Sequence, residues 1–452
     1  MKYYLTTLGC PKNEADSRDI ETSLLMEGFS KAKHVDDADF HIINTCAFIE
    51  EAKKETIQEI FRAISIKEKL KEKNKDQKVI VVGCFSERYS KEIKEEIPEI
   101  DLFFGTNQYR KTGEILKTHF HLEIQKPSDY VELWETLKAK KKFYAPVKIS
   151  EGCNRNCAFC AIPLFRGKFQ SFEKESILEQ VRFLAQTGIK EICIVSQDTN
   201  SYGSHYNELV DLLELIQEIE GIQWIRLLYM YPDQKTMRIL KEIHKRKIYK
   251  IVPYLESPIQ HVSEKVLKKM NRYGSYEFFK DLFQMARDLF SDLEIRTTFL
   301  IGFPEEDAHD IALIQRFIEE TKIEHLTFFA YSPEEGTQAY EFSSKINRKE
   351  IKNKINEIQN FYNEILRDIM SNHVGKIYYS LLEGIKPNEL YFRRPQSAPE
   401  IDDIVVVSFD YKQWKQEKKE PPKLGEFYPI EITGFVSYDY TGRILSEVGA
   451  LL

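Results

Sequence analysis

Cys153, Cys157 and Cys160 stand in the run ISEGCNRNCAFCAIP. This spacing places three thiolates on one short loop. A structural zinc site closes on four ligands, commonly from paired cysteines, and no fourth cysteine or histidine stands nearby. A [4Fe–4S] cluster ordinarily takes four cysteines, so three leave one iron open. An open iron can be chelated by the amino and carboxylate groups of S-adenosylmethionine. An electron passed into the sulfonium then breaks a carbon–sulfur bond and releases a deoxyadenosyl radical. Such a radical needs a closed, water-poor pocket.

Cys10, Cys46 and Cys84 are far apart in sequence but share one context. Each directly follows an apolar run: YYLTTLG, HIINT and VIVVG. Each would therefore lie at the carboxyl end of a parallel strand, the edge along which open α/β sheets bind ligands. The alternative is three structural cysteines, since free cysteine is often core. The matched positions favour a second cluster, again with one iron open. Cys193, in the middle of EICIVS, reads as core.

The elements that must position these groups fall into three parts. In residues 1–124 strands KYYLTTLG, FHIINT, KVIVVG and LFFGT alternate with helices over Asn13–Gly28, Glu50–Lys73 and Ser86–Glu96. That alternation predicts a parallel sheet flanked by helices. Residues 125–143 read as a linker with a charged helical turn or two. Residues 144–372 supply APVKIS, EICIVS, WIRLLY, IVPYLE, EIRTTFLIG and EHLTFFAY, with amphipathic helices such as Lys174–Gln186 and Glu306–Glu320 between them. Six βα units make a partial barrel, two short of the eightfold form, with its site at the carboxyl ends of the strands. A polar helix over Arg348–His373 follows. Residues 373–452 are β-rich, with turns expected at Gly384, Pro421–Pro422 and Gly442, and predict a small barrel of the oligonucleotide-binding type. The run WKQEKKEPPK reads as a solvated loop within it.

Bulk composition narrows the function. At 452 residues, with 42% hydrophobic residues, the chain has enough for several cores. It contains no run of 18 apolar residues, so no membrane span is expected. MKYYLTTLGC carries no long apolar run before a small-residue cleavage site, so a cytoplasmic protein is expected. Seven cysteines, an odd count in a chain with no sign of secretion, favour metal or redox chemistry over disulfides. A net charge of −7 offers no basic footprint for nucleic acid. From His373 onward 12 acidic residues face 10 basic ones, a poor footprint for RNA.

LGCPKN, NTCAFIEEA and VVGC resemble the N-terminal cluster domain of the radical methylthiotransferases. EGCNRNCAFC and AIPLFRG resemble that family's radical domain, and the final β-barrel stands where the family has its TRAM domain. Nearly the whole chain is covered. LGCPKN, NTCAFIEEAKKE, SQDTNSYG, PIQH and SAPEID are similar to the branch called RimO, which modifies a ribosomal protein. The tRNA-modifying, MiaB-like branch usually shows glutamine and methionine where Pro11 and Lys12 stand here. Glu256, Ser257, Glu305 and Phe172 depart from the family pattern, which usually has aspartate, an apolar residue, glycine and arginine there.

The resemblance implies two [4Fe–4S] clusters and S-adenosylmethionine as cofactors. Cys153, Cys157 and Cys160 would hold the radical cluster, and Cys10, Cys46 and Cys84 the auxiliary one, which carries sulfur. The implied substrate is an aspartate of small-subunit ribosomal protein number twelve, methylthiolated on its β-carbon. The implied reductant is a flavodoxin or ferredoxin. Unreactive C–H bonds offer no acidic proton, so cofactor chemistry is required. Phe159 is expected either against the adenine or packed beneath the loop. Gln260, at the barrel mouth, and Thr298, on the fifth strand, are candidates to face S-adenosylmethionine. His261 reads as a hydrogen-bonded structural residue. Arg296, Thr297 and Arg166 are further candidates near the site, and SAPEID is expected to shape the final barrel and face the substrate. The rival readings are a tRNA methylthiotransferase, which needs salt-steep RNA affinity, and an RNA-binding or assembly protein with structural zinc. An electron carrier would not need so much protein.

Overall fold

The structure, a computed structural model, describes residues 1–126, 142–342, 347–409 and 421–445. The expected charged linker helix and residues 414–420 of the WKQEKKEPPK run lie outside the described residues. Strands β1 (Lys2–Thr7), β2 (Ser30–Lys31), β3 (Phe40–Thr45), β4 (Lys78–Gly83) and β5 (Leu102–Phe104) form a parallel sheet in the order β2-β1-β3-β4-β5. β3 is buried at every position and β4 at all but its first, as central strands covered on both faces must be. The sequence reading gave four strands here. The extra one, β2, is a two-residue edge strand too short to leave a period. Helix α1 (Pro11–Met26) begins with proline at its first position, where the missing N–H costs nothing. Helix α2 (Glu50–Glu72) is close to expectation. The helix expected over Ser86–Glu96 is two: α3 (Cys84–Arg88) and Ser90–Glu96, broken at Tyr89, whose φ of −121° is not helical.

The central part carries two three-stranded parallel sheets. One contains β6 (Tyr144–Lys148), β9 (Glu191–Val195) and β10 (Trp224–Leu227). The other contains β11 (Tyr254–Glu256), β12 (Glu294–Ile301) and β13 (His325–Ala330). A bridge between Ile225 and Ile251 joins them, which makes the six-stranded partial barrel. Between β6 and β9, a small antiparallel pair, β7 (Ser150–Glu151) and β8 (Gln170–Ser171), brackets the triplet loop. One face of each strand packs on the surrounding helices: Ile295, Phe299 and Ile301 of β12 join Ile314, Phe317 and Ile318. Fully burying each such side chain contributes about 1.5–3 kcal/mol. The other face points into the barrel.

The last part is a closed five-stranded barrel in the order β14-β15-β16-β18-β17. Its strands are β14 (Ile377–Lys386), β15 (Glu389–Arg393), β16 (Val405–Ser408), β17 (Phe427–Val436) and β18 (Asp439–Ile444). Gly384 lies at a bulge inside β14 and Gly442 inside β18, so neither is the turn expected of it. The turns fall instead next to Asn388 (φ 66°) and Ser437 (φ 57°). Asn tolerates that left-handed conformation because its short polar side chain bonds locally.

SAPEID does something the sequence reading missed. The 393–403 segment inserts into the floor of the central barrel. Arg393 pairs with Glu191 at 2.5 Å, Arg394 with Glu294 at 2.6 Å and Asp403 at 3.0 Å, and Ala398 packs beside Cys193 and Tyr254. Glu294, His325 and Asp403 lie close enough to resemble a metal site, but the Arg394 guanidinium neutralises their carboxylates.

Candidate active site

The triplet loop is held in place by backbone bonds from several directions. The Cys153 amide donates to Gly167 O at 3.2 Å, Ala158 to Met270 O at 2.8 Å, and Ala339 to Ala158 O at 2.7 Å. Gly152 has φ 75°, and a Cβ there would lie 2.2 Å from Lys168 O, so only glycine fits. Arg155, inside the loop, donates to Asp198 at 2.6 Å and Asp233 at 2.8 Å, with its guanidinium 3.8 Å from the Tyr231 ring centre. These carboxylates follow β9 and β10, so one arginine ties the loop to two strand ends. The Arg272 Nη1 lies 3.5 Å from Cys157 Sγ.

The other three cysteines converge at the carboxyl edge of the N-terminal sheet. Cys10 caps α1, Cys46 follows β3 and Cys84 opens α3. Gly9 has φ 92°, and a Cβ there would sit 3.0 Å from Cys46 Sγ. Asn13 holds the edge by donating to Leu8 O at 2.7 Å and Thr45 O at 3.1 Å. Among the described residues all seven thiols are free of disulfides. Burial pushes the Cys84 and Cys160 thiols up to about 12, and raises Cys46 and Cys153 as well. Thiols that burial makes costly to ionise, as at Cys46, Cys84, Cys153 and Cys160, suit metal centres that bring their own positive charge.

The radical loop docks on the auxiliary-cysteine edge: Ala161 and Phe165, just after the triplet, pack in one core with Cys84 and Phe85. The positive charge of Lys12 favours thiolate at Cys46 of one trio and at Cys160 of the other. Its Nζ lies 4.5 Å from the centre of the Tyr229 ring. Arg166, from the radical side, reaches Cys84 Sγ at 3.0 Å, Asn13 Oδ1 at 3.0 Å and Asp16 at 2.8 Å. Lys12, Tyr229 and Asp198 were not singled out by the sequence reading as site residues. Only their places next to a cysteine or a strand end could have signalled them.

Other sequence candidates have definite places. The Phe159 ring packs edge-on to Phe303, with centroids 6.4 Å apart. Gln260 takes φ 71° and bridges β12 through Thr298 O and Leu300 N, both at 2.8 Å. On β12 Arg296 and Thr298 share the barrel-facing side, whereas Thr297 is buried on the other and donates to Ser257 O at 2.6 Å. His261 Nδ1 accepts from the Val262 and Ser263 amides at 3.0 and 2.9 Å, a structural role. Glu305 has φ 72°, the conformation that favours the glycine usual there. Phe172 lies against Arg110 and Lys148. Glu256 is inside the barrel, where burial pushes its carboxyl up to about 6.

An open parallel barrel with a cysteine loop at its carboxyl face, a second cysteine edge opposite and a closed β-barrel behind define a radical S-adenosylmethionine enzyme. The family models agree part by part. Residues 2–105 match the Uncharacterized protein family UPF0004, 147–318 the Radical SAM superfamily and 374–445 the TRAM domain. The chain is 46% identical over 447 residues to the ribosomal protein uS12 methylthiotransferase RimO of Leptospira biflexa, covering 97% of this chain and 96% of that one. It is 36% identical to the protein of the same name from Aquifex aeolicus, covering 98% and 97%. The chain belongs to the RimO family of radical methylthiotransferases, whose cofactors are S-adenosylmethionine and [4Fe–4S] clusters. Among solved structures, the radical methyltransferase TsrM from Kitasatospora setae matches with TM-score 0.51 and 14% identity over 73% of this chain and 72% of that one. The cobalamin-dependent radical enzyme OxsB matches with TM-score 0.52 and 13% identity over 78% and 56%. These two likenesses show shared fold alone.

Proposed function

We propose that this chain methylthiolates the β-carbon of an aspartate in ribosomal protein uS12. What supports the reading is the packing of Ala161, Phe165 and Arg166 of the radical part against Cys84 of the N-terminal sheet, in a chain with full-length RimO relatives. Cys153, Cys157 and Cys160 hold the radical cluster, and Cys10, Cys46 and Cys84 the auxiliary one. When bound, the first cluster would supply, from one S-adenosylmethionine, the radical that removes the substrate hydrogen, and the second would supply a sulfur methylated by another S-adenosylmethionine.

The protein contributes position and exclusion. Arg155 fixes the radical loop to β9 and β10. Arg166 fixes the auxiliary edge to the barrel. Phe159, Gln260 and Thr298 line the S-adenosylmethionine side, with Phe303 and Tyr331 closing the wall behind Phe159 against water. Residues 1–124 act as the auxiliary-cluster domain, 144–372 as the radical domain and 373–452 as the TRAM domain, with 125–143 between the first two. Among the described residues no helix is long and apolar enough to cross a membrane. The cytoplasm, where uS12 and a flavodoxin or ferredoxin are at hand, is the proposed setting.

The test is anaerobic reconstitution with iron and sulfide, then incubation with S-adenosylmethionine, reductant and purified uS12. Mass spectrometry should show one added methylthio group on an aspartate, lost in Cys10→Ala and in Cys157→Ala. Deoxyadenosine without any change in uS12 would redirect the search to tRNA.

A further inference from the structure

Cations stand beside the cysteine trios and inside the barrel, and most already have carboxylate partners. Arg155 is bound by Asp198 and Asp233, Arg166 by Asp16 and Glu151, Lys148 by the same Asp16 and Glu151, and Arg296 by Asp402. Arg272 gives its Nη2 to Pro258 O at 2.5 Å. Lys12 differs. Among the described residues its ammonium has no carboxylate within 4.0 Å and, unlike Arg272, donates no hydrogen bond, resting instead over the Tyr229 ring. The Glu256 carboxylate is near enough to feel its charge but not to bond it. Lys12 is half-buried, and a partly desolvated charge gains from an opposite charge brought to it. Tyr229 itself takes φ 60°, a strained setting for a bulky residue that persists where surrounding structure fixes it.

A substrate aspartate brings its own carboxylate, and the reacting β-carbon is bonded directly to the carboxylate carbon. A cation that grips the carboxylate therefore places the β-carbon to within one bond length, the kind of positioning that lowers an activation barrier. We infer that Lys12, two residues after Cys10 and held against Tyr229 just past the carboxyl end of β10, receives the side-chain carboxylate of the substrate residue and so selects acid over amide. The inference rests on the proposed function. It makes Lys12 a binding and specificity residue, apart from any balancing of cluster charge.

The test uses full-length enzyme with both clusters reconstituted. The probes are two fluorescein-labelled synthetic peptides of the uS12 target loop, one with the native aspartate and one with asparagine in its place. Fluorescence anisotropy in the presence of S-adenosylmethionine gives affinities, and mass spectrometry gives kcat and KM. Wild type should bind the acid peptide at least about 10-fold more tightly, because a site built for a charged group is left unpaired by its neutral analogue. Lys12→Met should bring that ratio to near one and raise KM for the acid peptide more than it lowers kcat. Lys12→Arg should keep most of the preference, and both variants should keep wild-type iron content and cluster EPR signals. An undiminished acid preference in Lys12→Met overturns the inference. So does loss of either cluster signal in both variants, which would make Lys12 a charge-balancing residue. Failure of wild type to modify either peptide would sink the proposed function, while the binding ratio would still judge Lys12.

Discussion

The Arg166 guanidinium donates to the Cys84 sulfur at 3.0 Å, from a short helix of the radical barrel to the edge of the N-terminal sheet. The same guanidinium bonds Asp16, which is fully buried. Arg166→Ala leaves Asp16 with Lys148 alone. Breaking a buried pair in this way should destabilise the fold by about 3–5 kcal/mol, read as a lower midpoint in urea. Reconstituted Arg166→Ala should also show a shifted auxiliary-cluster EPR signal and an unchanged radical-cluster signal. A midpoint equal to wild type would show that the contact carries no stability.

Gly152 separates the two clusters experimentally. Alanine there meets Lys168 O at 2.2 Å in a left-handed conformation, which alone costs an L-residue about 1–2 kcal/mol. Gly152→Ala should lose the iron of the radical cluster and retain that of the auxiliary one, measured as iron per chain. Full iron content would mean the loop can open without losing its ligands.

Cys193 offers the reverse control. It is 2% exposed and packs with Val195, Leu228 and Tyr254 inside the barrel. Cys193→Ala should cost about 1–2 kcal/mol through the small cavity left behind, with iron content and methylthiolation retained. Loss of a cluster in this variant would add a seventh cysteine to the iron chemistry.

Two histidines near Glu294 respond to pH with opposite sign. His325 bonds Glu294 at 2.9 Å and lies 3.2 Å from Asp402. Burial lowers its pKa, but these carboxylates outweigh that and raise it overall. Its stabilisation is present in full below the unfolded value of about 6.5 and is lost as pH rises through the raised one. Burial instead pushes His373 down to about 4. Between about 4 and 6.5 the unfolded chain binds that proton and the folded chain does not, so stability rises with pH there. Urea unfolding at pH 5, 6.5 and 8.5 checks both. His325→Gln should lose most stability at low pH, and His373→Gln should flatten the slope between pH 5 and 6.5. A parallel offset of either variant at all three values would contradict the assignment.

Asp402 joins the TRAM part to the barrel by pairing with Arg296 and accepting from Tyr254 at 2.9 Å. Asp402→Ala leaves the largely buried Arg296 with Thr327, at 2.9 Å, as its remaining hydrogen-bond partner among the described residues. Limited proteolysis should then release the C-terminal barrel at lower protease concentration than in wild type. Unchanged cleavage would place the interdomain hold on Arg393 and Arg394 instead.

The sequence by itself determined the chemistry and the layered architecture. Cys153, Cys157 and Cys160 are adjacent because their loop is short, and Cys10, Cys46 and Cys84 are aligned because strand–helix alternation places each at the same edge. Both follow from local spacing, which survives without knowledge of the fold. Strand β2, the break at Tyr89 and the turns beside Asn388 and Ser437 were illegible because each is decided by packing or by one residue's conformation rather than by a period. Only the tertiary structure decided that Lys12 rests over the Tyr229 ring and that Arg166 reaches Cys84. It also decided that the 393–403 segment closes the barrel floor instead of shaping only its own domain. Those relationships join residues 82 to 217 positions apart, as in Arg166 with Cys84 and Lys12 with Tyr229. Contacts at that separation depend on how the domains dock, and no local pattern records them.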